Sequence, residues 1–254
     1  MPYSITDYER PSVAVDAAVF GVDDHKSSTM DEKILKILLV KRGEEPFKGM
    51  YALPGGFLRK NETADKAVGR ELAEEAGVMS SKLIPLRVYS EQGRDPRGWI
   101  ISAAYISLTN TVQLSTAHNS DAAEAVWMEF RYEVTDGSER IIISSDETAL
   151  EIIAENGRVV KNDLPFDHGT IIYEAFKKLQ DEVKYHDIIF DLMPELFTVS
   201  DLHGPYRMIL QKDESMQAFR KRMAPKIEET EIYDDTTAAH RKSKLYRRKI
   251  IREE

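Results

Sequence analysis

Residues 56–78, GFLRKNETADKAVGRELAEEAGV, constrain this chain more than any other stretch. Thr63 offers a side-chain oxygen to the free amides of a first helical turn, and Gly77 is suited to end the helix. Between them Ala67, Val68, Leu72 and Ala76 supply packing positions, so the spacing predicts a helix over residues 64–76. On that helix Glu71, Glu74 and Glu75 stand at i, i+3 and i+4 and share one face. Three carboxylates so placed repel one another unless positive charge lies among them. A hard divalent cation, Mg2+ or Mn2+, takes oxygen ligands of this kind and commonly contacts a substrate phosphate as well. An acidic run alone more often marks a solvated helix face, so the residues around it have to decide.

The chain has 254 residues, enough for one large or two modest domains. It has no cysteine, which excludes disulfides and thiolate metal sites and fits a reducing cytosol. The start lacks a basic segment followed by an apolar run, and no stretch approaches the roughly 18 apolar residues of a membrane span. A cytoplasmic protein without membrane contact is expected. The net charge of −9 is unevenly spread, since residues 241–252 carry seven basic groups and no acid. Such asymmetry suggests two modules, the second with a basic end suited to a polyanion.

Apolar, β-rich runs predict strands over residues 13–20, 34–41, 83–90, 100–108 and 125–130. The polar residues 23–33 predict a hairpin loop. Residues 44–50 predict a punctuated loop, and Pro54-Gly55-Gly56 permits close backbone approach to a ligand or metal. Residues 145–156 predict a helix, with Ser145 as its cap and Gly157 as its stop. Strands with helices outside them give an α+β sandwich over residues 1–160.

A second module is predicted over residues 164–254. It opens with a helix over 168–183, packed through Ile171, Ile172, Ala175 and Leu179. Two shorter helices follow near 186–193 and 200–210, punctuated by Pro194 and Gly204-Pro205. A basic helix over 215–224 turns Met216, Phe219 and Met223 inward and Arg220, Lys221 and Arg222 mostly outward. Strands over 227–233 and 244–250 flank a polar turn. This order is that of a winged helix-turn-helix. Arg220, Lys221, Arg222 and Lys226, with Arg241, Lys242, Lys244, Arg247 and Arg248, are candidates for DNA phosphates, giving salt-dependent affinity.

Residues 93–98, GRDPRG, form another constellation. Arg94 and Arg97 are candidates to clamp phosphate oxygens, with Asp95-Pro96 setting a tight turn. Trp127 is read as core, and Trp99, in a loop, as a candidate adenine or ribose contact. His25, His118, His168, His186, His203 and His240 show no metal-ligand spacing and are read as structural or surface residues.

Residues 56–78 match G-x5-E-x7-R-E-U-x-E-E-x-G-U, with U aliphatic, at every specified position: Gly56, Glu62, Arg70, Glu71, Leu72, Glu74, Glu75, Gly77 and Val78. The stretch resembles the signature box of the Nudix hydrolase superfamily. The resemblance implies an α/β/α sandwich and Mg2+ or Mn2+ held by Glu71, Glu74 and Glu75 with the Gly56 carbonyl. It implies water attack on a phosphorus of a nucleoside diphosphate derivative, with Arg70 orienting the carboxylates. Glu62 is a candidate partner of Arg70, outer metal ligand or substrate contact. The general base stays open among Glu71, Asp121 and Glu124. The pattern RDPRGxxxSxAY at residues 94–105 and DAAEAxW at 121–127 resemble segments of Nudix domains that recognise ADP-ribose.

From LPFDH at 164–168 to Leu245-Tyr246-Arg247, the chain resembles the winged-helix domain of the Nudix-related transcriptional regulators of NAD metabolism. Those proteins join a Nudix-like sensor to a DNA-binding module and act as dimers. Two functions are therefore expected. The first is a Mg2+-dependent hydrolase of an ADP-ribose-like nucleoside diphosphate. The alternative is an ADP-ribose-responsive regulator of double-stranded DNA whose Nudix domain senses without cleaving. Many such regulators have a degraded box, whereas this box is intact. The wing reads Arg241-Lys242-Ser243-Lys244 where the family often has a GRPA-like turn.

Overall fold

The computed structural model describes residues 7–24, 33–78, 82–112, 124–234 and 243–249. Its centre is a long strand, β1 (Ser12–Asp24), followed by β2 (Lys33–Lys41), β3 (Tyr51–Ala52) and β4 (Gly55–Phe57). The helix α1 (Ala64–Ala76) comes next, then β5 (Leu83–Tyr89), β6 (Ile100–Thr109) and β7 (Ala125–Thr135). Among the described residues these strands, with β8 (Ser138–Ser144), β9 (Ala149–Glu155) and β10 (Arg158–Asn162), form one sheet in the order β10-β9-β8-β7-β2-β1-β6-β5. β1 runs parallel to β6, from Ser12 beside Ile100 to Gly21 beside Thr109, and β4 pairs with its other edge.

Both faces of the sheet are covered, which is why β1 reads as a continuous apolar run. Val15, Ala17 and Val19 pack with Leu38 under Val68 and Leu72 of α1. Ala18 and Phe20 point the opposite way, toward α2 (His168–Tyr185). Phe176 of α2 is fully buried, its ring centroid 4.8 Å from Phe130 and 4.9 Å from Tyr132. Two charged clamps hold the same helix. Glu174 accepts from Arg87 and from the Tyr89 hydroxyl, and Glu139 accepts from Tyr132, Tyr173 and Lys177. The α1 ends match the sequence expectation. Thr63 Oγ1 accepts from the Lys66 amide, and Gly77 has a left-handed φ of 63°.

The helix expected over residues 145–156 is a strand, β9. Ser145 opens a turn closed by its amide donating to the Thr148 carbonyl at 2.8 Å, and no helix follows it. Asp136-Gly137 and Asn156-Gly157 all adopt positive φ, the backbone that tight hairpins require. Between these turns Ile141 and Ile143 pair with Ile152 and Leu150, so burial alternates with period two. The cap-like Ser145 and stop-like Gly157 obscured that alternation.

The C-terminal part is a winged helix. A 3₁₀ segment, Ile188–Leu192, stands where a short helix was expected, and leads to α3 (Val199–Leu210) and α4 (Met216–Met223). Thr198 and Asp201 form a reciprocal capping box at the start of α3. β11 (Ile227–Asp234) and β12 (Ser243–Arg248) make the ribbon, and Phe197 bridges to Tyr246 beside it. Lys33 pairs with Asp201 at 3.2 Å, and Gln180 of α2 donates to the Ile209 carbonyl at 2.8 Å, joining α3 to the rest. Among the described residues no helix is long and apolar enough to cross a membrane.

Candidate functional site

Pairing of β4 with β1 brings Gly55 and Gly56 against α1. A Cβ on Gly56 would lie 2.3 Å from Glu71 Oε1, and one on Gly55 2.2 Å from the Val15 carbonyl oxygen. Only glycine permits this approach. Arg70 is the hub beside it. Its guanidinium donates to Glu62 at 2.8 and 2.9 Å, to Glu71 at 2.6 Å, to Glu74 at 3.1 Å and to the Phe57 carbonyl at 3.2 Å. Arg70 therefore orients the carboxylates, and its bonds to Glu62 hold that acid down to about 2, with help from the Arg59 amide. Glu74 also accepts from Arg59 at 3.0 Å.

Glu75 differs from the other box acids. It accepts one hydrogen bond, from the Gly55 amide at 3.0 Å. Burial, reinforced by the negative charges of Glu71 and Asp16, pushes its carboxyl up to about 7. Among the described residues no three acidic or histidine side chains already converge as a metal cage, because Glu74 is turned toward Arg59 and Arg70. The donor set nevertheless fits a divalent cation. Glu71 and Glu75 are oxygen donors beside a glycine backbone with no side chain in the way, and Glu75 is partly dehydrated and pairs with no cation among the described residues.

Next to these acids lies a cleft of about 150 Å³. Gly55, Gly56 and Phe57 form one wall, Arg94, Asp95 and Arg97 a second, and Arg42, Phe166 and His168 a third. Arg94 is not an open phosphate clamp here. Its side chain is 5% exposed, donates to both Asp167 oxygens at 2.8 and 2.7 Å, and reaches Asp16 at 3.5 Å. It ties the 93–98 loop to Asp167, the residue just before α2. Arg97 is more open. Two of its donors grip the buried Asp95 at 3.0 and 2.7 Å.

Asp16 sits at the centre of the buried charges. Burial alone would raise its pKa, but His168, the Ser102 hydroxyl and Arg94 together hold it below the usual carboxylate range. His168 Nδ1 accepts from the Leu53 amide at 2.9 Å, so its other nitrogen carries the proton toward Asp16, 3.5 Å away.

Arg42, Phe166 and His168 carry no local sequence signal that marks them as ligand contacts. The run LPFDH carries only a resemblance, and nothing local to it indicates the return of His168 to Asp16 of β1 across more than 100 residues. Trp99 is 55% exposed and faces another hollow, with Pro96 and Gly98, outside this cleft. Trp127 packs against the α1-side core, as read from the sequence. Glu124 is exposed just before β7, and Asp121 lies outside the described residues.

On the winged helix the basic residues divide into two groups. Arg220 and Lys221 stand exposed on α4, with no ion-pair partner among the described residues. Arg222 is turned back: it donates to Glu214 and lies 4.1 Å from the Tyr206 ring centre. Lys226 pairs with Asp187, Lys244 with Glu229, and Arg247 with Glu228. Arg248 lies 3.7 Å from Asp191. Arg241 and Lys242 lie outside the described residues.

Residues 13–136 match the NUDIX domain family, and residues 189–248 match the NrtR DNA-binding winged helix domain. The chain is 31% identical over 251 residues to the ADPR responsive transcriptional repressor NtrR of Acinetobacter baylyi, covering 96% of this chain and 85% of that one. Over 99 residues it is 46% identical to the ADP-ribose pyrophosphatase of Methanocaldococcus jannaschii, covering 39% of this chain and 52% of the relative. Its fold is similar to that of Shewanella oneidensis NrtR crystallised with a 27mer DNA, with a TM-score of 0.67, 26% identity and 93% of each chain covered.

Proposed function

The chain belongs to the NrtR family, which joins a NUDIX domain to a DNA-binding winged helix, and on that premise we propose that it is an ADP-ribose-responsive transcriptional repressor. One observation carries this proposal. Both modules align in one match, over 251 residues, to a relative described as an ADPR responsive repressor. In this proposal the cleft beside Gly56 takes an ADP-ribose-like nucleoside diphosphate, and its occupancy changes the affinity of the winged helix for double-stranded DNA. Arg220 and Lys221 contact phosphates, which gives affinity that falls with salt. The two-fold related half-sites that such modules commonly read favour a homodimer, and the reading fits the cytoplasmic location expected from the sequence. The decisive experiment is retardation of the chain's own upstream DNA in a gel. Release of that DNA by ADP-ribose supports the repressor, and retention at saturating ADP-ribose refutes it.

The intact box supports a second activity, Mg2+-dependent hydrolysis of the same ligand. Glu71 and Glu75 would hold the metal beside Gly56, Arg70 and Glu62 would keep the carboxylates in place, and Glu74 would join them once released from Arg59. When bound, the metal would neutralise the diphosphate and lower the pKa of an attacking water. The similarity to an archaeal ADP-ribose pyrophosphatase over 99 residues supports this activity. AMP release from ADP-ribose with Mg2+, lost in Glu74→Gln with Glu75→Gln, is the expected result. Absence of turnover with dinucleotide substrates would leave the domain as a sensor only.

A further inference from the structure

We infer that Arg42 and Arg97, splinted on Phe166, form an anion subsite at the mouth of the cleft, fitted to a phosphate group of the ligand. The inference rests on the proposal that the cleft takes a nucleoside diphosphate; it keeps Arg97, a candidate from the sequence, and adds Arg42 and Phe166 in place of Arg94. Phe166 has φ 56°, in the left-handed region that aromatic side chains rarely occupy. Its ring meets the edge of Phe47 at 4.9 Å and His168 at 5.2 Å, which fixes its direction. Two guanidiniums converge on it, Arg42 at 4.9 Å and Arg97 at 5.4 Å from the ring centre. Arg97 also lies 5.2 Å from the ring of Phe57 on the opposite wall.

Each guanidinium is anchored on one side and open on the other. Arg42 donates through Nε to the Pro46 carbonyl at 2.8 Å and through Nη2 to the Glu44 carbonyl at 3.4 Å. Arg97 uses Nε and Nη2 on Asp95. Nη1 of both has no partner among the described residues. Two positive charges drawn to one aromatic ring repel each other, and the pKa of Arg42 is lowered first by burial and next by Arg97. An anion shared between them removes that repulsion, and planar guanidinium donors match phosphate oxygens. Arg42 is also within electrostatic reach of Glu75. The cleft these arginines line is also lined by Gly55 and Gly56, which lie against Glu75 and Glu71, so a phosphate held here is on the side of the box carboxylates. Because Phe166 stands two residues before α2, a filled subsite would be felt at the start of that helix.

The test uses the full chain without divalent metal, titrated calorimetrically with inorganic pyrophosphate and, separately, with ADP-ribose. Arg42→Gln and Phe166→Leu are expected to weaken both ligands by about ten-fold, while Phe166→Tyr stays within about three-fold of wild type. Thermal midpoints check folding. Should Phe166→Leu unfold, Arg42→Gln decides, since that guanidinium hydrogen-bonds only loop carbonyls. Wild-type affinity for pyrophosphate in Arg42→Gln overturns the subsite, as does a wild type that binds no pyrophosphate. If pyrophosphate binds and the variants weaken it, but ADP-ribose neither binds nor releases DNA, the subsite stands and the effector proposal fails.

Discussion

The cleft and the face of α4 use positive charge in opposite ways. In and beside the cleft the arginines are already bound: Arg70 to Glu62, Glu71 and Glu74, Arg94 to Asp167, Arg97 to Asp95, and Arg42 to the Pro46 and Glu44 carbonyls. Their positions are fixed before any ligand arrives, which suits recognition of one shape. On α4, Arg220 and Lys221 are exposed and unpaired among the described residues, which suits a polyanion read through its backbone. Where winged-helix cations do have partners, as at Arg222 with Glu214, they behave like the cleft arginines and serve packing. Partner count, more than charge, separates the two roles.

Arg94→Met tests this contrast most severely. It leaves Asp167 without its guanidinium partner and removes one of the supports of buried Asp16, in a place where Arg94 is 5% exposed, so a loss of about 3–5 kcal/mol in denaturant unfolding is expected. A loss below about 1 kcal/mol, the range of surface pairs, would erase the distinction.

The pH dependence of Glu75 comes next. Its folded pKa of about 7 lies above the ordinary glutamate value, so the folded chain holds a proton that the unfolded chain has released. In chelator-treated protein, stability should fall by on the order of 1–3 kcal/mol as pH rises from about 4.5 through 7. Glu75→Gln should lack that decline, and Mg2+ should restore stability at pH 8. Identical pH profiles for wild type and variant would contradict the assignment.

Arg220→Ala with Lys221→Ala should weaken DNA binding by about 1 kcal/mol per contact and flatten the salt dependence by about one unit each. Unfolding midpoints should barely change. The smallest effect is expected from Arg222→Ala, a loss of about 1 kcal/mol in stability from the contact with Tyr206 and little change in the salt slope. If Arg222 instead altered DNA affinity as much as Arg220, packed and free cations would not differ on this surface.

The sequence carried the local features well. The caps of α1, the glutamate spacing and the order of elements in the winged helix are all set by neighbours within a few residues. It carried the long-range features poorly. Arg94 and Asp167 are 73 positions apart, and Leu53 and His168 are 115 apart, so no local pattern marks either pair. β9 is masked in the sequence because Ser145 and Gly157 imitate helix ends while Leu150, Ile152 and Ala154 alternate over only a short span. α2 has a clear helical stripe, but a stripe does not tell which surface it meets. Its Phe176 meets Phe20 and Phe130 of the sheet.

Asp167 immediately precedes α2, yet its carboxylate makes no capping bond to the helix and is given to Arg94 instead. The start of this helix is therefore held by a loop from another part of the chain. Modular engineering has to respect that dependence. A hybrid that grafts a foreign DNA-binding part after residue 163 would discard the partner of Arg94, the Phe166 wall of the cleft and the cover over Phe20 together. A junction after Tyr185 keeps all three.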